Sequence, residues 1–357
     1  MKQSTSTIQI LIWLCAIGLA ALVISRLPLV SLGASLSKLN LTNWIVWIFI
    51  NVIIIVLLTS RWKSLTKAIG ASTNFFSLLR VRQAGQLINF VTPGPQLGAE
   101  PLQTYWLWKR YYVPAHAALL TVGLDRFYEF WVNFAVLLLA VLVLFSSTTI
   151  SLIDWRVVAA MLISLMLLMS LIAWIVLRKP ILIRNFLKRL TSPWQKHKKL
   201  SELHSELAQF QELLKRVVTE KRYTLLIALL VSLLSWVVMI LEFWLLLQFV
   251  SVPIDVTTFI FLFVIVRLAF LLPFPGGIGT VEAALFWAFQ SQALPLSSAA
   301  ALITLMRLRD AAILVRALLC YRVCNARISK TKQQKVNSVI FSNLFHKQPS
   351  KIHFPKS

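Results

Sequence analysis

Glu100 and Glu282 each stand seven residues after a proline that opens a Pro-Gly pair, Pro93-Gly94 in one case and Pro275-Gly276 in the other. A new helix is expected to begin just after Gly98 and just after Gly279, so both carboxylates fall in a first helical turn. Unpaired N–H groups and the helix dipole favour a negative charge there, by about 0.3–1 kcal/mol at an exposed site. Capping is one role for the two acids and contact with a cation is the other; both can hold at once. The N-terminal ends of these half-helices can instead cradle a phosphate. Asp125, Arg126 and Glu129 form a second group, with the two acids one helical turn apart; they read as a structural ion pair or as a polar ligand site. Arg307 and Asp310 are spaced i,i+3 on one helix face, with Arg309 beside them. Planar guanidinium forks suit phosphate, and Arg126, Arg267 and Arg307 are the candidates for that contact. Glu242 reads as an interhelical bond or a lining residue. Pro93, Gly94, Gly98, Pro275, Gly276, Gly277 and Gly279 are expected to be structural breaks allowing tight backbone paths.

Conventional catalysis finds no support in the motifs. The chain has no HExxH, GxSxG, P-loop or Asp-rich metal signature. Cys15, Cys320 and Cys324 make no CxxC or metal spacing. No catalytic residue, metal site or cofactor is expected.

The elements that must position these charges are long and apolar. Of 357 residues, 58% are hydrophobic and only 13% charged, against roughly half and a quarter in soluble domains. Crossing the hydrocarbon core takes about 20 apolar residues. Runs of that kind occur at Ile8–Ile24, Leu41–Thr59, Phe127–Phe145, Trp155–Leu177, Tyr223–Val250 and Ser297–Cys320. The first is read as a retained span, because Ser25-Arg26-Leu27-Pro28 lacks a small-residue cleavage pattern. Most of the thirteen tryptophans, Trp106 and Trp108 included, read as interfacial anchors.

A net charge of +24 would ordinarily suggest nucleic acid, but the distribution of the basic residues speaks against that partner. Of 36 Lys and Arg, twelve lie in 178–222, eight in 322–357 and seven in 61–110, while the intervening connections carry few. This is the asymmetry of the positive-inside rule. It places both termini in the cytoplasm, with Arg61-Trp62-Lys63 at the cytoplasmic return of the second span, in a cell membrane. Segment 178–222 carries an amphipathic stripe from Leu200 to Val217, which lies in the interface or packs on the protein's own cytoplasmic face.

Two units interrupt the pattern. Ala71–Phe90 is broken by Thr92–Gly98 and resumes to Tyr112; Thr257–Leu272 is broken by Pro273–Gly279 and resumes over Thr280–Gln292. Each is expected to be a re-entrant hairpin, tolerable only where protein or water surrounds the open backbone. The charge pattern sets the two in opposite leaflets, as in transporters with inverted repeats. The expected fold is thus an all-α polytopic membrane protein of about six spans and two broken-helix hairpins. It comprises one domain over 1–325 and a basic cytoplasmic tail over 326–357, expected to be disordered.

Asn89…Pro93-Gly94…Gly98-Ala99-Glu100-Pro101, Asp125-Arg126-Phe127, the stretch from Leu272 to Ala284 (PxPGGxGxxEAA) and Arg307 with Asp310 together resemble the lysylphosphatidylglycerol synthase transmembrane-region family, the flippase-like UPF0104 group. The resemblance covers roughly residues 8–325. It implies a membrane unit that moves aminoacylated or other polar lipids between leaflets. Full-length synthases add a soluble aminoacyltransferase domain, for which the roughly 36 residues after the last span are too few; that activity is not carried over. The chain departs from the family at Gln103-Thr104-Tyr105, where many members have Arg or Lys, so a headgroup preference is not carried over either. The expected partner is a membrane phospholipid or other polar lipid, the candidate headgroup contacts being Glu100, Asp125, Arg126, Glu129, Arg267, Glu282, Arg307 and Asp310. The alternatives are a non-catalytic partner of a separate lipid-modifying transferase, or a membrane transferase acting on a lipid-linked substrate.

Overall fold

The computed structural model describes residues 39–92, 98–145, 153–178, 199–252, 255–272 and 274–345, the backbone alone over 199–208, at 275 and over 326–345. The expected span Ile8–Ile24 lies outside the described residues, as do Pro93 and Gly94 of the first break. Ten helices occur among the described residues: α1 Leu41–Ala68, α2 Phe75–Val91, α3 Glu100–Tyr111, α4 Ala115–Phe145, α5 Trp155–Arg178, α6 Lys199–Glu220, α7 Arg222–Phe249, α8 Val256–Leu271, α9 Thr280–Ser291 and α10 Leu296–Phe345. A 3-10 turn, Pro275–Gly277, joins α8 to α9.

Four of these helices, α1, α4, α5 and α7, are long and apolar enough to cross a membrane. Each keeps its backbone hydrogen bonds within the helix, as hydrocarbon requires. Many of their large side chains point outward, among them Leu167, Leu168 and Ile172 on α5 and Leu230 and Val237 on α7. Such a surface belongs against lipid tails. α10 contains the expected span Ser297–Cys320 but interrupts it with Arg307, Arg309 and Asp310. Its backbone is helical to Phe345. By contrast α3 and α9 have twelve residues each, about 18 Å of helix against roughly 30 Å of hydrocarbon.

Two sequence expectations need correcting. Arg61 is not a loop charge, because α1 continues to Ala68 and leaves Arg61 only 1% exposed; Lys63 and Lys67 are the exposed basic residues there. Trp106 is not an interfacial anchor. Its ring is fully buried and its Nε1 donates to Asn325 Oδ1 at 3.3 Å. Trp108, two residues and about 200° further round the helix, is exposed beneath the Lys109 ammonium. The structure also decides between the two placements of the amphipathic segment: α6 packs against α4, α5 and α7, burying Leu214 and Val217 in one apolar cluster with Leu78, Leu107 and Leu120.

α1 packs along α7, α2 along α10, and α4 against α5 and α8. The break elements meet as well, since α2 contacts the Pro275–Gly277 turn. Both short helices end in the same way. Tyr112 after α3 (φ 55°) and Ala293 after α9 (φ 52°) take left-handed backbone, and each is followed by one apolar residue and a proline. Val113 N–H then returns to Leu107 O at 3.1 Å and Leu294 N–H to Phe289 O at 2.9 Å. The Pro114 and Pro295 carbonyls accept from Ala118 and Ala299 in the next helix.

Candidate functional site

Charges in an apolar bundle must find one another, because an unpaired ion away from water is held only at severe cost. Six of the chain's twelve acidic residues do so in two clusters. In the first, Asp125 of α4 receives Arg61 of α1 and Arg82 of α2, one on each oxygen, both at 2.8 Å. Glu129, one turn on, accepts from Arg61 at 3.3 Å and from Arg82 and Arg126 at 3.2 Å. Arg126 Nε lies 2.9 Å from Glu100 Oε1, close as an ion pair although off the line of a hydrogen bond. Glu100 Oε2 accepts from Gly98 N–H at 2.7 Å.

The second cluster repeats part of this plan on other helices. Arg307 of α10 contacts Glu282 of α9 at 2.6 Å and Asp310 at 2.8 Å, and donates to the carbonyls of Gly276 and Gly277 in the break. Glu282 Oε2 accepts from Gly279 N–H at 2.8 Å. Thus both first-turn acids cap a glycine N–H, and each also meets an arginine whose own helix carries a second acid three residues later. Arg309, two residues from Arg307 and on another face, sends Nη1 to both oxygens of Glu242 on α7, at 3.2 and 3.0 Å. Glu242 Oε1 also accepts from Trp47 and Asn51 of α1, so Glu242 makes interhelical bonds, and it is a lining residue as well.

Between the clusters lies a cavity of about 240 Å³, walled by α1, α2, α4, α7, α8, α10 and Gly276. Arg61, Arg82, Arg126, Arg267, Arg309 and Arg316 line it, against Glu129, Glu242 and Asp310; Asn51, Asn89, Asn133, Gln83 and Gln86 add amides. Of the residues singled out in the sequence, Arg126, Glu129, Glu242, Arg267, Arg309, Asp310 and Gly276 reach this lining. Glu100, Asp125 and Arg307 hold lining groups from outside it, and Glu282 in turn holds Arg307. Arg267 is set apart from both clusters: its guanidinium lies over the rings of Trp236 at 4.8 Å and Phe263 at 5.2 Å. Among the described residues no group of three or more His, Cys, Asp and Glu could hold a metal ion.

Sequence reasoning missed Arg61, Arg82, Arg316 and the five amides as parts of the site. The available signal was placement: Asn51 interrupts a purely apolar run, and Arg82 sits inside a helix that had to be half-buried.

Residues 7–316 match the family described as the lysylphosphatidylglycerol synthase TM region. The chain is 25% identical over 263 residues to a UPF0104 membrane protein of Methanocaldococcus jannaschii, covering 72% of this chain and 77% of the relative. It is 24% identical over 308 residues to a UPF0104 membrane protein of Methanothermobacter thermautotrophicus, covering 82% and 89%. No solved structure matches. With four membrane-length helices, two broken helix pairs bearing first-turn acids, and a match running through both clusters, the chain belongs to the lysylphosphatidylglycerol synthase TM-region family of multi-pass membrane proteins.

Proposed function

We propose that the protein moves a polar lipid headgroup between leaflets through the cavity between the two charge clusters, the acyl tails staying in lipid. The observation that carries this reading is the cavity itself. Ionisable residues at the bilayer centre cost about 2.5–3.5 kcal/mol each on insertion scales and mark substrate paths. Here nine line one space. A headgroup in that space exchanges its hydration for fixed donors and acceptors.

The proposed topology has six spans, the first being Ile8–Ile24, with α2–α3 and α8–α9 as re-entrant hairpins entering from opposite leaflets and both termini cytoplasmic. Three correspondences support an inverted repeat of α1–α4 and α7–α10. Each unit has a glycine-capping acid held by an arginine, each has a left-handed residue and proline before its last helix, and the packing is reciprocal. α1 lies on its counterpart α7, while α2 lies on α10 and α8 on α4. Such a pair can expose one polar site alternately to two sides.

Purified protein in vesicles carrying a trace of fluorescent phospholipid tests the reading through quenching of the outer leaflet. Exchange above empty vesicles is expected, and Glu100→Gln and Glu282→Gln, which weaken the break–arginine ties, should slow it. No exchange above background with any of several headgroups would sink translocation and favour a membrane partner of a separate lipid-modifying transferase.

A further inference from the structure

We infer that the cavity selects a headgroup of net negative charge through its phosphate, with Arg267 and Arg316 as the specificity-determining contacts. This deepens the translocation reading and rests on it for its lipid ligand. Two independent features of the lining point the same way.

The first is the pairing pattern. Arg61, Arg82, Arg126 and Arg309 each face a carboxylate within 3.3 Å. Arg267 and Arg316 have no carboxylate within ion-pair distance among the described residues. Arg267 is held by two aromatic faces, which position a guanidinium while leaving its donors uncommitted. Counting the lining with the acids and the arginine just behind it, seven arginines face six carboxylates. An anion completes this balance, whereas an aminoacyl or other cationic head adds to the excess.

The second feature is the direction of the unmet hydrogen bonds. Three buried side-chain atoms of the lining have neither a protein hydrogen-bond partner nor an ion-pair partner: Asn89 Nδ2, Arg309 Nε and Arg316 Nε. All three are donors. Asn89 is 2% exposed, and its Oδ1 is already taken by Ala99 N–H at 2.9 Å, so only its amide nitrogen is left to offer. These unmet donors fit a phosphate, which carries only acceptor oxygens when ionised. An ammonium, which only donates, satisfies none of them.

The test is the melting temperature of the detergent-purified full chain with short-chain phospholipids differing only in head charge. The probes are dihexanoyl phosphatidylglycerol, dihexanoyl phosphatidylcholine and a cationic ethylphosphocholine analogue, with free glycerol 3-phosphate as the headgroup-only arm. We expect the anionic lipid to bind about tenfold more tightly than the zwitterionic one, as one charge-assisted contact implies, and the cationic analogue to bind most weakly. Arg267→Gln and Arg316→Gln should each erase that preference. Arg267→Lys, which keeps charge and bulk, should retain part of it and guards against a variant that does not fold. Stabilisation by glycerol 3-phosphate equal to that by the lipid would identify a free phosphate ester as the ligand source, upholding the anion site while removing its lipid. Equal or tighter binding of the cationic lipid, or an unchanged preference in folded variants, overturns the inference. Anion-selective binding without vesicle exchange would instead uphold the site and sink translocation.

Discussion

Arg307 meets Glu282 at 2.6 Å across the second helix break, and the same guanidinium donates to the carbonyls of Gly276 and Gly277. One side chain therefore ties the turn, the start of α9 and Asp310 of its own helix together. Removing one partner of a buried ion pair costs about 3–5 kcal/mol because the other charge is left uncompensated. Arg307→Met should lose stability of that order, since Glu282, Asp310 and two carbonyls lose their donor. Arg126→Met should lose less: Glu129 keeps Arg61 and Arg82, and only Glu100 is abandoned. Thermal unfolding of both variants in one detergent checks the order, and equal losses would refute it.

Gly276 and Gly279 separate backbone strain from steric contact. Both have positive φ, 59° and 84°, where a Cβ is strained, by about 1–2 kcal/mol in the left-handed region that Gly276 adopts. A Cβ at Gly276 would also come within 2.6 Å of the Phe90 ring at the end of α2, whereas one at Gly279 meets nothing within 4 Å. Only Gly276→Ala should therefore carry a steric cost beyond the backbone strain. Adding Phe90→Ala should recover the steric part only in the Gly276 variant. A double-mutant cycle with melting as its readout should give favourable coupling for the first pair and additivity for the second.

Asp125 has a different arginine hydrogen-bonded to each oxygen, at 2.8 Å on both sides. Asp125→Asn keeps the shape but strips the charge that offsets Arg61 and Arg82, themselves 1% and 3% exposed. A loss of about 3–5 kcal/mol is expected. Glu129→Gln should cost clearly less, because the Glu129 side chain is 27% exposed and its arginines keep other acids. Chemical unfolding of the two variants distinguishes them.

How much of this was legible follows from the range of each signal. The apolar runs became α1, α4, α5 and α7 within a few residues at most ends, because hydrocarbon leaves a helix no alternative. Arg307 and Asp310 were readable as a pair because helical geometry sets i,i+3 neighbours. The first-turn placement of Glu100 and Glu282 followed from the glycines before them. Arg61 was misread because an arginine late in a helix and one in the following loop look alike in sequence; only its partner Asp125, 64 residues away, distinguishes them. Glu242 was harder still, since its ties to Trp47 and Asn51 span 195 and 191 residues. Local spacing cannot register such pairs, and the cavity is made of them.

Asp255 offers a pH test outside the membrane-spanning segments. It caps α8, accepting from the N–H groups of Thr257 and Thr258 at 3.1 and 3.3 Å. Hydrogen bonding from the Thr258 side chain, and then from those backbone groups, holds its carboxyl below the ordinary carboxylate value. A carboxyl depressed in the folded state stabilises it above the unfolded value, and that contribution fades as pH falls through the lower folded one. Asp255→Ala should lose about 1 kcal/mol at neutral pH, the usual worth of an N-cap. Asp255→Asn should retain most of the cap yet melt with a shallower acid dependence than the parent, because an amide has no proton to gain. Melting curves taken down through the carboxylate range would decide it: if parent and Asp255→Asn curves stay parallel as the pH drops, the cap is not titrating and this account of α8 fails.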